Sequence, residues 1–356
     1  SISAAPVALR GSPYLSKIPY SQSYSLDIQH ELPFNTILAV GYYGNLGRHL
    51  LGIMDVNQPI AGKLVICGGI PLTAPAVCAG TTTTGGAAIN SIRPYLGYGP
   101  INTVQPIMTS NYNSLQTSLQ KKFKGQSQVS MNYTWSKALT TAQSDRSSAT
   151  QNVYCIHCDY GPSALDRRHI FNANFVYDLP FFTAQQGVIG HILGGWETSG
   201  IAYLYSGLPL TVISSGVDPA GQGYNLSASS VSGRPDLIGN PVGPRGTDMS
   251  TTGPTWFNKD AFANVCPSTG ICANPRPGTS PRGVVYGPGF SRLDLSLFKN
   301  FNVTERVKFQ FRTEAFNVFN HTNPNGVGTT FGSSTFGHIT SYRDPREMQF
   351  GLKLMF

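Results

Sequence analysis

Charged residues, tryptophan and long apolar runs are all scarce in this sequence of 356 residues, which has only 3 Trp. Only 12% of the residues are charged, about half of the roughly 25% typical of soluble globular domains. No segment approaches the ~18 consecutive apolar residues that a membrane-spanning helix needs. The best candidate, residues 187–195, is short and is interrupted by His191. These absences exclude a helical membrane protein and argue against an ordinary soluble domain.

Signatures of catalysis and of nucleic-acid binding are missing as well. The sequence contains no GxSxG, HExxH or GxxxxGK[ST] motif, the patterns of common hydrolases and nucleotide-binding proteins. The net charge is +8, but apart from Lys121, Lys122 and Lys124 the basic residues are scattered. A nucleic-acid-binding surface instead gathers them into a stripe. We therefore expect no enzyme, no cofactor and no nucleic-acid partner.

Glycine, proline and aromatic residues are abundant, with 39 Gly, 25 Pro, 17 Tyr and 19 Phe, and apolar residues alternate with polar ones. The alternation is clearest at the C-terminus, where Met348, Phe350, Leu352 and Leu354 are separated by single residues. The other predicted strands lie at 24–32, 36–43, 115–119, 129–135, 170–179, 196–205, 293–297 and 307–312. Such a period of two predicts strands with one apolar and one polar face. We predict an all-β chain of about 9–10 strands.

The connections between these strands alternate in length. The shorter ones are predicted at 33–35, 124–126, 180–195 and 300–304. The long ones are predicted at about 44–110, 138–165, 207–289 and 320–345, and residues 1–19 form a linker or a partial strand. Outer-membrane barrels alternate short periplasmic turns with long extracellular loops in this way, and aromatic residues near the strand ends fit their interfacial girdles. The sequence therefore predicts an antiparallel transmembrane β-barrel segment in the bacterial outer membrane.

An odd number of strands has a consequence for closure. The nine strands counted above cannot close into an antiparallel barrel, because closure needs an even number. An open sheet edge in lipid would leave backbone groups without hydrogen bonds. The N-terminus also lacks the pattern of a signal peptide, which an outer-membrane protein needs. We expect residues 20–356 to be the C-terminal part of a longer barrel.

Several short motifs, taken in order along the chain, resemble one known family. They are 113–116 (NSLQ), 121–123 (KKF), 133–137 (YTWSK), 161–163 (GPS), 166–169 (DRRH), 194–196 (GGW), 206–209 (SGLP), 233–235 (GRP), 256–258 (WFN), 294–300 (DLSLFKN), 311–317 (FRTEAFN) and 345–350 (PREMQF). Together they resemble the barrel of Oar-like TonB-dependent receptors, outer-membrane proteins that usually carry an N-terminal carboxypeptidase-regulatory-like domain. The resemblance implies a 22-stranded barrel with an N-terminal plug and an inner-membrane energy-transducing partner. Neither the plug nor the partner-binding box is found in these residues.

The last strand also resembles the signal that the barrel-assembly machinery reads. The resemblance is carried by Gly351, Leu354 and Phe356. Phe350 stands where that motif often has a polar residue. We therefore expect the assembly machinery to be a partner of this chain.

Six cysteines fall into three close pairs, all in predicted extracellular loops. The pairs are Cys67/Cys78, Cys155/Cys158 and Cys266/Cys272. Because the cell surface is oxidising, local disulfides are the favoured interpretation. The alternative is a metal site at residues 155–158 (CIHC), but a closed zinc site needs four ligands and the sequence has no second CxxC.

Two sets of polar residues are candidates for ligand or structural contacts. The residues expected to face the lumen are Asp27, Gln29, Glu31, Lys308, Gln310, Arg312 and Glu314. The residues expected at the rim are Asp166, Arg167, Arg168 and His169, which could hold an anion. We favour rim salt bridges that fix the geometry of loop and strand.

The function predicted from the sequence is ligand capture by the extracellular loops, followed by energy-coupled uptake in the full-length receptor. A sugar, a peptide and an iron chelate are equally compatible with the loop composition. The lipid bilayer and lipopolysaccharide are the other expected partners. The alternatives are a surface structural or adhesive protein that self-assembles, and a passive porin, which needs an even strand set.

Overall fold

A computed structural model describes most of the chain. The described residues are 7–14, 17–62, 64–67, 70–73, 76–77, 90, 92–123, 125, 127–141, 150–214, 218–223, 233–243, 253–266, 271–272, 274–302 and 308–356. At 64–67, 70–73, 76–77, 271–272, 302, 308 and 355 the description is of the backbone alone.

Strands dominate the described residues. They are β1 (Val7–Gly11), β2 (Tyr20–Leu32), β3 (Thr36–Asp55), β4 (Leu64–Cys67), β5 (Ile70–Thr73), β6 (Ala76–Val77), β7 (Tyr98–Lys122), β8 (Gln128–Thr140), β9 (Gly161–Pro162), β10 (His169–Asp178), β11 (Trp196–Tyr205), β12 (Pro209–Leu210), β13 (Ile213–Ser214), β14 (Asp236–Leu237), β15 (Phe262–Ala263), β16 (Ile271–Cys272), β17 (Val285–Tyr286), β18 (Phe290–Asn302), β19 (Lys308–Phe316), β20 (Pro324–Val327), β21 (Thr330–Phe331), β22 (Ile339–Tyr342) and β23 (Glu347–Met355). Helical segments include Gly187–Leu193 and the 3₁₀ turns Ile156–Asp159 and Lys259–Ala261. Within the described ranges, no helix is long and apolar enough to cross a membrane.

One antiparallel sheet organises the molecule. Among the described residues, nine strands follow each other across it in chain order, β2-β3-β7-β8-β10-β11-β18-β19-β23; we call this the main sheet. Each predicted strand coincides with one of these nine. β3 and β7 also pair with each other well beyond the predicted strand ends, as far as Asp55 opposite Asn102. The described part of the segment predicted as a loop at 44–110 therefore begins with an extension of β3 and β7, and β1 pairs in parallel with the far end of β7.

The register of the main sheet separates apolar from polar residues. Leu26 lies opposite Tyr42, Tyr42 opposite Leu115, and Leu115 opposite Trp135. Directly opposed residues point to the same face. The same face carries Ile28, Val40, Leu119, Met131, Phe171, Phe175, Leu204, Leu295, Leu297, Phe311, Leu352 and Leu354. We call it the apolar face. No described residue packs over it, and Leu352 is 72% exposed.

The long connections form a second region at one end of the main sheet. We call the described residues of the β3–β7, β8–β10, β11–β18 and β19–β23 connections the loop layer. Its hydrophobic core consists of Val212, Phe257, Ala261, Phe262, Val285 and Phe336. The rings of Phe257 and Phe336, from different connections, meet edge to face at 5.2 Å. Two long connections therefore share one core.

Polar contacts tie the other two connections to that core. Arg282 Nη1 donates a hydrogen bond to the carbonyl oxygen of Thr141 at 2.9 Å. Arg234 Nη1 and Asp159 Oδ1 form an ion pair of 2.5 Å in which both side chains are buried. The backbone amide of Val153 donates to Gln58 Oε1 at 2.8 Å. All four long connections thus meet at the same end of the main sheet.

Candidate ligand-binding site

The face opposite the apolar face carries the polar residues predicted to point into a lumen. Asp27 lies opposite Gly41, and Glu314 lies opposite Ser296. Because alternate residues of a strand point to opposite faces, Gln29 and Glu31 share the face of Asp27. Gln310 and Arg312 likewise share that of Glu314, and the backbone of Lys308 is in the same alternation. We call this surface the polar face.

Side chains of the polar face are joined across and along strands. Tyr43 Oη donates a hydrogen bond to Asp27 Oδ1, and Gln349 Nε2 donates to Glu314 Oε2. Arg312 Nε donates to Gln310 Oε1 at 2.7 Å. Gln310 Nε2 in turn donates to Asn300 Oδ1 at 2.9 Å. Hydrogen bonds of this kind orient polar groups on a wet surface without removing their exposure.

The four residues predicted as a rim cluster separate in the structure. Asp166 is 1% exposed, and its Oδ1 accepts a hydrogen bond from the Ala138 amide at 2.6 Å. Arg167 Nη1 donates to the carbonyl oxygen of Ser206 at 2.9 Å. His169 Nδ1 lies 2.8 Å from Tyr133 Oη. Within the described part of the chain these residues make no ion pair, and rim salt bridges stay a prediction.

Arg167 belongs instead to a group of aromatic and arginine side chains at the loop-layer end of the polar face. Its guanidinium lies 5.4 Å from the ring centroid of Tyr205. The Tyr205 ring lies 6.0 Å from that of Tyr203 and 5.9 Å from that of Phe290. The guanidinium of Arg343 lies 4.8 Å from the Phe290 centroid. We call Arg167, Tyr203, Tyr205, Phe290 and Arg343 the aromatic–arginine cluster.

The electrostatics of the aromatic–arginine cluster favour an anion. Burial lowers the pKa of Arg167, and the positive charge of Arg343 lowers it further. The adjacent Arg292 is already paired with Asp294, at 2.6 Å between Nε and Oδ1. An anionic group would relieve the repulsion between the two guanidinium groups. Planar guanidinium groups bind carboxylates and phosphates with paired hydrogen bonds, and the rings offer stacking surfaces.

Two of the five residues of this cluster, Phe290 and Arg343, have no signal in the sequence. Arg167 is part of a charged motif and Tyr205 ends a predicted strand, so these two could be selected as candidates. Phe290 starts β18, and Arg343 lies in the last long connection. Neither position has a local pattern that links it to Arg167. Only the order of strands in the main sheet brings them together.

One predicted disulfide is present in the described residues. Cys155 and Cys158 are bonded, with their Cα atoms 5.3 Å apart. The bond removes both thiolates from the alternative metal site at 155–158. Cys266 is also disulfide-bonded. Cys78 and the side chains of Cys67 and Cys272 lie outside the described residues.

The residues of the predicted assembly signal lie on β23 and just after it, at one end of the main sheet. Gly351 is opposite Arg312 on the polar face, and Leu354 is opposite Phe309 on the apolar face. Phe356 is 97% exposed. Their recognition by the assembly machinery stays a prediction.

Comparison with known proteins defines the family. A family model described as an outer membrane beta barrel domain matches residues 2–349, and the chain belongs to this family. It is therefore part of a transmembrane β-barrel of the bacterial outer membrane, and the uncovered apolar face is its lipid-facing surface. No curated protein sequence gives a significant match.

The solved structures that match this chain are distant in sequence. The outer membrane transporter YddB from Escherichia coli is 8% identical, with a TM-score of 0.45 over 95% of this chain and 33% of that chain. The pyoverdine outer membrane receptor FpvA from Pseudomonas aeruginosa PAO1 is 11% identical, with a TM-score of 0.39 over 95% and 30%. The copper transporter OprC is 9% identical, with a TM-score of 0.36 over 97% and 33%. The chain spans about a third of the length of these proteins.

Proposed function

We propose that this chain is part of the barrel of a TonB-dependent receptor that takes up an anionic ligand. In this proposal the polar face lines the lumen and the loop layer faces the outside of the cell. The aromatic–arginine cluster makes the first specific contact with the ligand. The observation that carries the proposal is the pair of guanidinium groups, Arg167 and Arg343, beside three aromatic rings where loop layer and polar face meet.

The chemistry of the cluster narrows the ligand class. Of the sugars, peptides and iron chelates that the loop composition allows, those with carboxylate or phosphate groups match two guanidinium groups. A ligand that also carries a ring or an apolar group gains stacking on Tyr203, Tyr205 or Phe290. We favour an acidic peptide or an acidic iron chelate over a neutral sugar.

The edges of the main sheet support a larger barrel. Among the described residues, β2 and β23 are the two ends of the strand order. An unpaired edge in lipid leaves backbone groups without hydrogen bonds. We propose that further strands of the full-length receptor pair with β2 and β23, and that the plug and the inner-membrane energy-transducing protein act with that complete barrel. Pairing of the same edges between copies is the structural or adhesive alternative.

The intact mass of the native polypeptide in outer-membrane fractions separates these two functions. The 356 residues account for 38.3 kDa. A mass well above this value is expected for a plugged receptor. A mass near 38.3 kDa would contradict coupled uptake and would support an assembly of copies.

Uptake itself is tested in cells that produce the full-length protein. We expect accumulation of acidic peptides or acidic iron chelates that disappears when the inner-membrane energy-transducing protein is deleted. The double variant Arg167→Gln/Arg343→Gln should weaken ligand binding by about tenfold or more, since hydrogen bonds to charged groups contribute about 1.5–3 kcal/mol. Arg10→Gln, on the exposed strand β1, is the matched control. Accumulation that persists without the energy-transducing protein would indicate a passive porin.

A further inference from the structure

A cavity opens on the apolar face at its loop-layer end. Its volume is about 430 Å³, within the range of small-molecule sites. The side of the cavity nearer the centre of the main sheet is formed by Tyr42, Leu115 and Trp135, which lie opposite one another on three adjacent strands. Lys137, Leu139 and Arg168 also line it. The cavity is therefore apolar toward the middle of the membrane and basic toward the loop layer.

Hydrogen bonds hold the polar part of the cavity in place. Asn113, another lining residue, accepts hydrogen bonds on Oδ1 from Tyr24 Oη at 2.7 Å and from Tyr42 Oη at 2.9 Å. Arg48 Nη1 donates to Asn111 Oδ1 at 2.9 Å, and Asn111 lines the cavity as well. A third basic side chain, that of Arg48, thus contacts the wall of the cavity.

Within the part of the chain that the structure describes, no carboxylate pairs with the basic residues of this cavity, Lys137 and Arg168. The neighbouring carboxylate, Asp166, is buried and accepts its hydrogen bond from the Ala138 amide. A basic site that no described carboxylate pairs with, next to an apolar membrane surface, matches an amphiphile with an anionic head group.

We propose that this cavity binds a phosphorylated, multiply acylated lipid of the outer leaflet, the chemistry of lipopolysaccharide. Lys137 and Arg168 bind its phosphate, because ammonium and guanidinium groups are the usual phosphate-binding groups of proteins. The acyl chains lie along Tyr42, Leu115 and Trp135 on the apolar face. Tyrosine and tryptophan are enriched at this depth of a membrane, where ring and polar tip meet both environments. The site rests on the outward orientation of the loop layer proposed above, but not on uptake.

The opposite end of the apolar face offers a matched control. Lys121 lies there, opposite Thr36. Its Nζ lies 5.0 Å from the ring centroid of Phe123 and 5.8 Å from that of Phe34. Lys121 therefore has the same charge on the same face, at the interface with the other leaflet.

The test measures binding of purified lipid A to the full-length protein in detergent. Lys137→Gln and Arg168→Gln should each weaken binding by about tenfold, the loss that corresponds to one charge-assisted hydrogen bond. Lys121→Gln should leave binding unchanged. Dephosphorylated lipid A should bind the wild type as weakly as lipid A binds the double variant Lys137→Gln/Arg168→Gln, and inorganic phosphate should not compete. Equal binding by the double variant and the wild type, or equal loss in Lys121→Gln, would overturn the proposal.

A second measurement does not depend on the stability of the basic-residue variants. Lipid A with brominated acyl chains should quench the fluorescence of Trp135 in the otherwise wild-type protein. The quenching should be lost in Trp135→Phe and kept in Trp196→Phe. Undiminished quenching in Trp135→Phe would place the lipid elsewhere. Failed lipid binding with intact ligand uptake would refute this site alone, whereas failed uptake with intact lipid binding would refute only the proposed transport function.

Discussion

The main sheet exposes its apolar residues, whereas the loop layer buries them. In the main sheet the apolar residues line an outer face, where Phe350 is 66% exposed. In the loop layer they are inside, and Phe257 is 1% exposed. The sheet is therefore stabilised by cross-strand hydrogen bonds and by contact with lipid, and it needs no buried core. The loop layer lies in water and depends on the hydrophobic effect, as a soluble domain does.

Polar residues follow the same division. The polar face of the sheet leaves its carboxylates and amides on a wet surface. The loop layer instead buries ion pairs: Arg234–Asp159 at 2.5 Å lies within it, and its Arg93 pairs at 3.1 Å with Asp55, the last residue of β3. Buried pairs need several hydrogen bonds to offset their loss of hydration, and Asp55 Oδ1 accepts two from backbone amides. The main sheet and the loop layer of one chain are therefore stabilised in different ways, the first in lipid and the second in water.

Of the variants considered, Phe257→Ala should produce the largest difference in stability between the loop layer and the main sheet. The ring contacts Phe262 and Phe336, and its removal should destabilise the loop layer by about 3–5 kcal/mol. Hydrogen exchange should accelerate in the loop layer and stay unchanged in the main sheet. The control is Ile238→Ala, because Ile238 is 67% exposed in the same region. Faster exchange in both regions would show that they unfold as one unit.

A charge on the apolar face should have the next largest effect. Leu297 is on the apolar face near the middle of β18, so Leu297→Arg should destabilise the assembled barrel by about 2–4 kcal/mol. Ser296→Arg, one residue earlier on the polar face, should be tolerated. Denaturant midpoints in lipid vesicles measure both variants. An equal loss of stability in both variants would mean that the apolar face does not contact lipid, or that the polar face does not contact water.

An acidic transition should affect the loop layer alone. Burial raises the pKa of Asp236, but hydrogen bonds from Arg276 and Thr279 outweigh it, and the net pKa lies below the usual value. This depressed pKa contributes stability that is present above about pH 4, the unfolded value, and is lost as the pH falls through the folded value.

The measurement for this transition is tryptophan fluorescence of the loop layer, where Trp256 Nε1 donates to the Tyr286 carbonyl at 2.8 Å. Asp236→Asn should lower stability at neutral pH by about 1.5–3 kcal/mol and remove this part of the pH dependence. Asp260→Asn, at an exposed carboxylate, is the control. An unchanged acid transition in Asp236→Asn would assign the transition to another group.

The two regions also differ in what the sequence predicts. All nine strands of the main sheet follow from local alternation, because a strand between lipid and water repeats its polarity every two residues. The alternation of Phe350, Leu352 and Leu354 fixes which face they occupy. The outer ends of β3 and β7 were not predictable, since β3 after residue 44 and β7 before residue 110 leave the lipid and lose the alternation. The extended ends are instead held by backbone hydrogen bonds between β3 and β7.

The loop layer and the candidate site depend on contacts between residues that are distant in sequence. Phe257 and Phe336 meet only because two long connections fold onto the same end of the sheet. The same holds for Arg167 and Arg343. The charged motif at 166–169 predicts a rim cluster, but residues 166–168 precede β10 and Arg168 lies in a bend, so these side chains do not follow strand alternation. The four side chains therefore enter different environments, and this divergence has no signature in the motif itself.

The smallest effect should come from the short disulfide in the loop layer. Cys155 and Cys158 are three residues apart, and a loop this small removes little chain entropy, about 2 kcal/mol in the entropic treatment. Cys155→Ser/Cys158→Ser should therefore lower the stability of the loop layer by no more than this amount. It should leave Phe257 protected and the main sheet unaffected. Hydrogen exchange with and without reductant measures the change. A loss as large as that of Phe257→Ala would mean that this disulfide, rather than the phenylalanine core, holds the connections together.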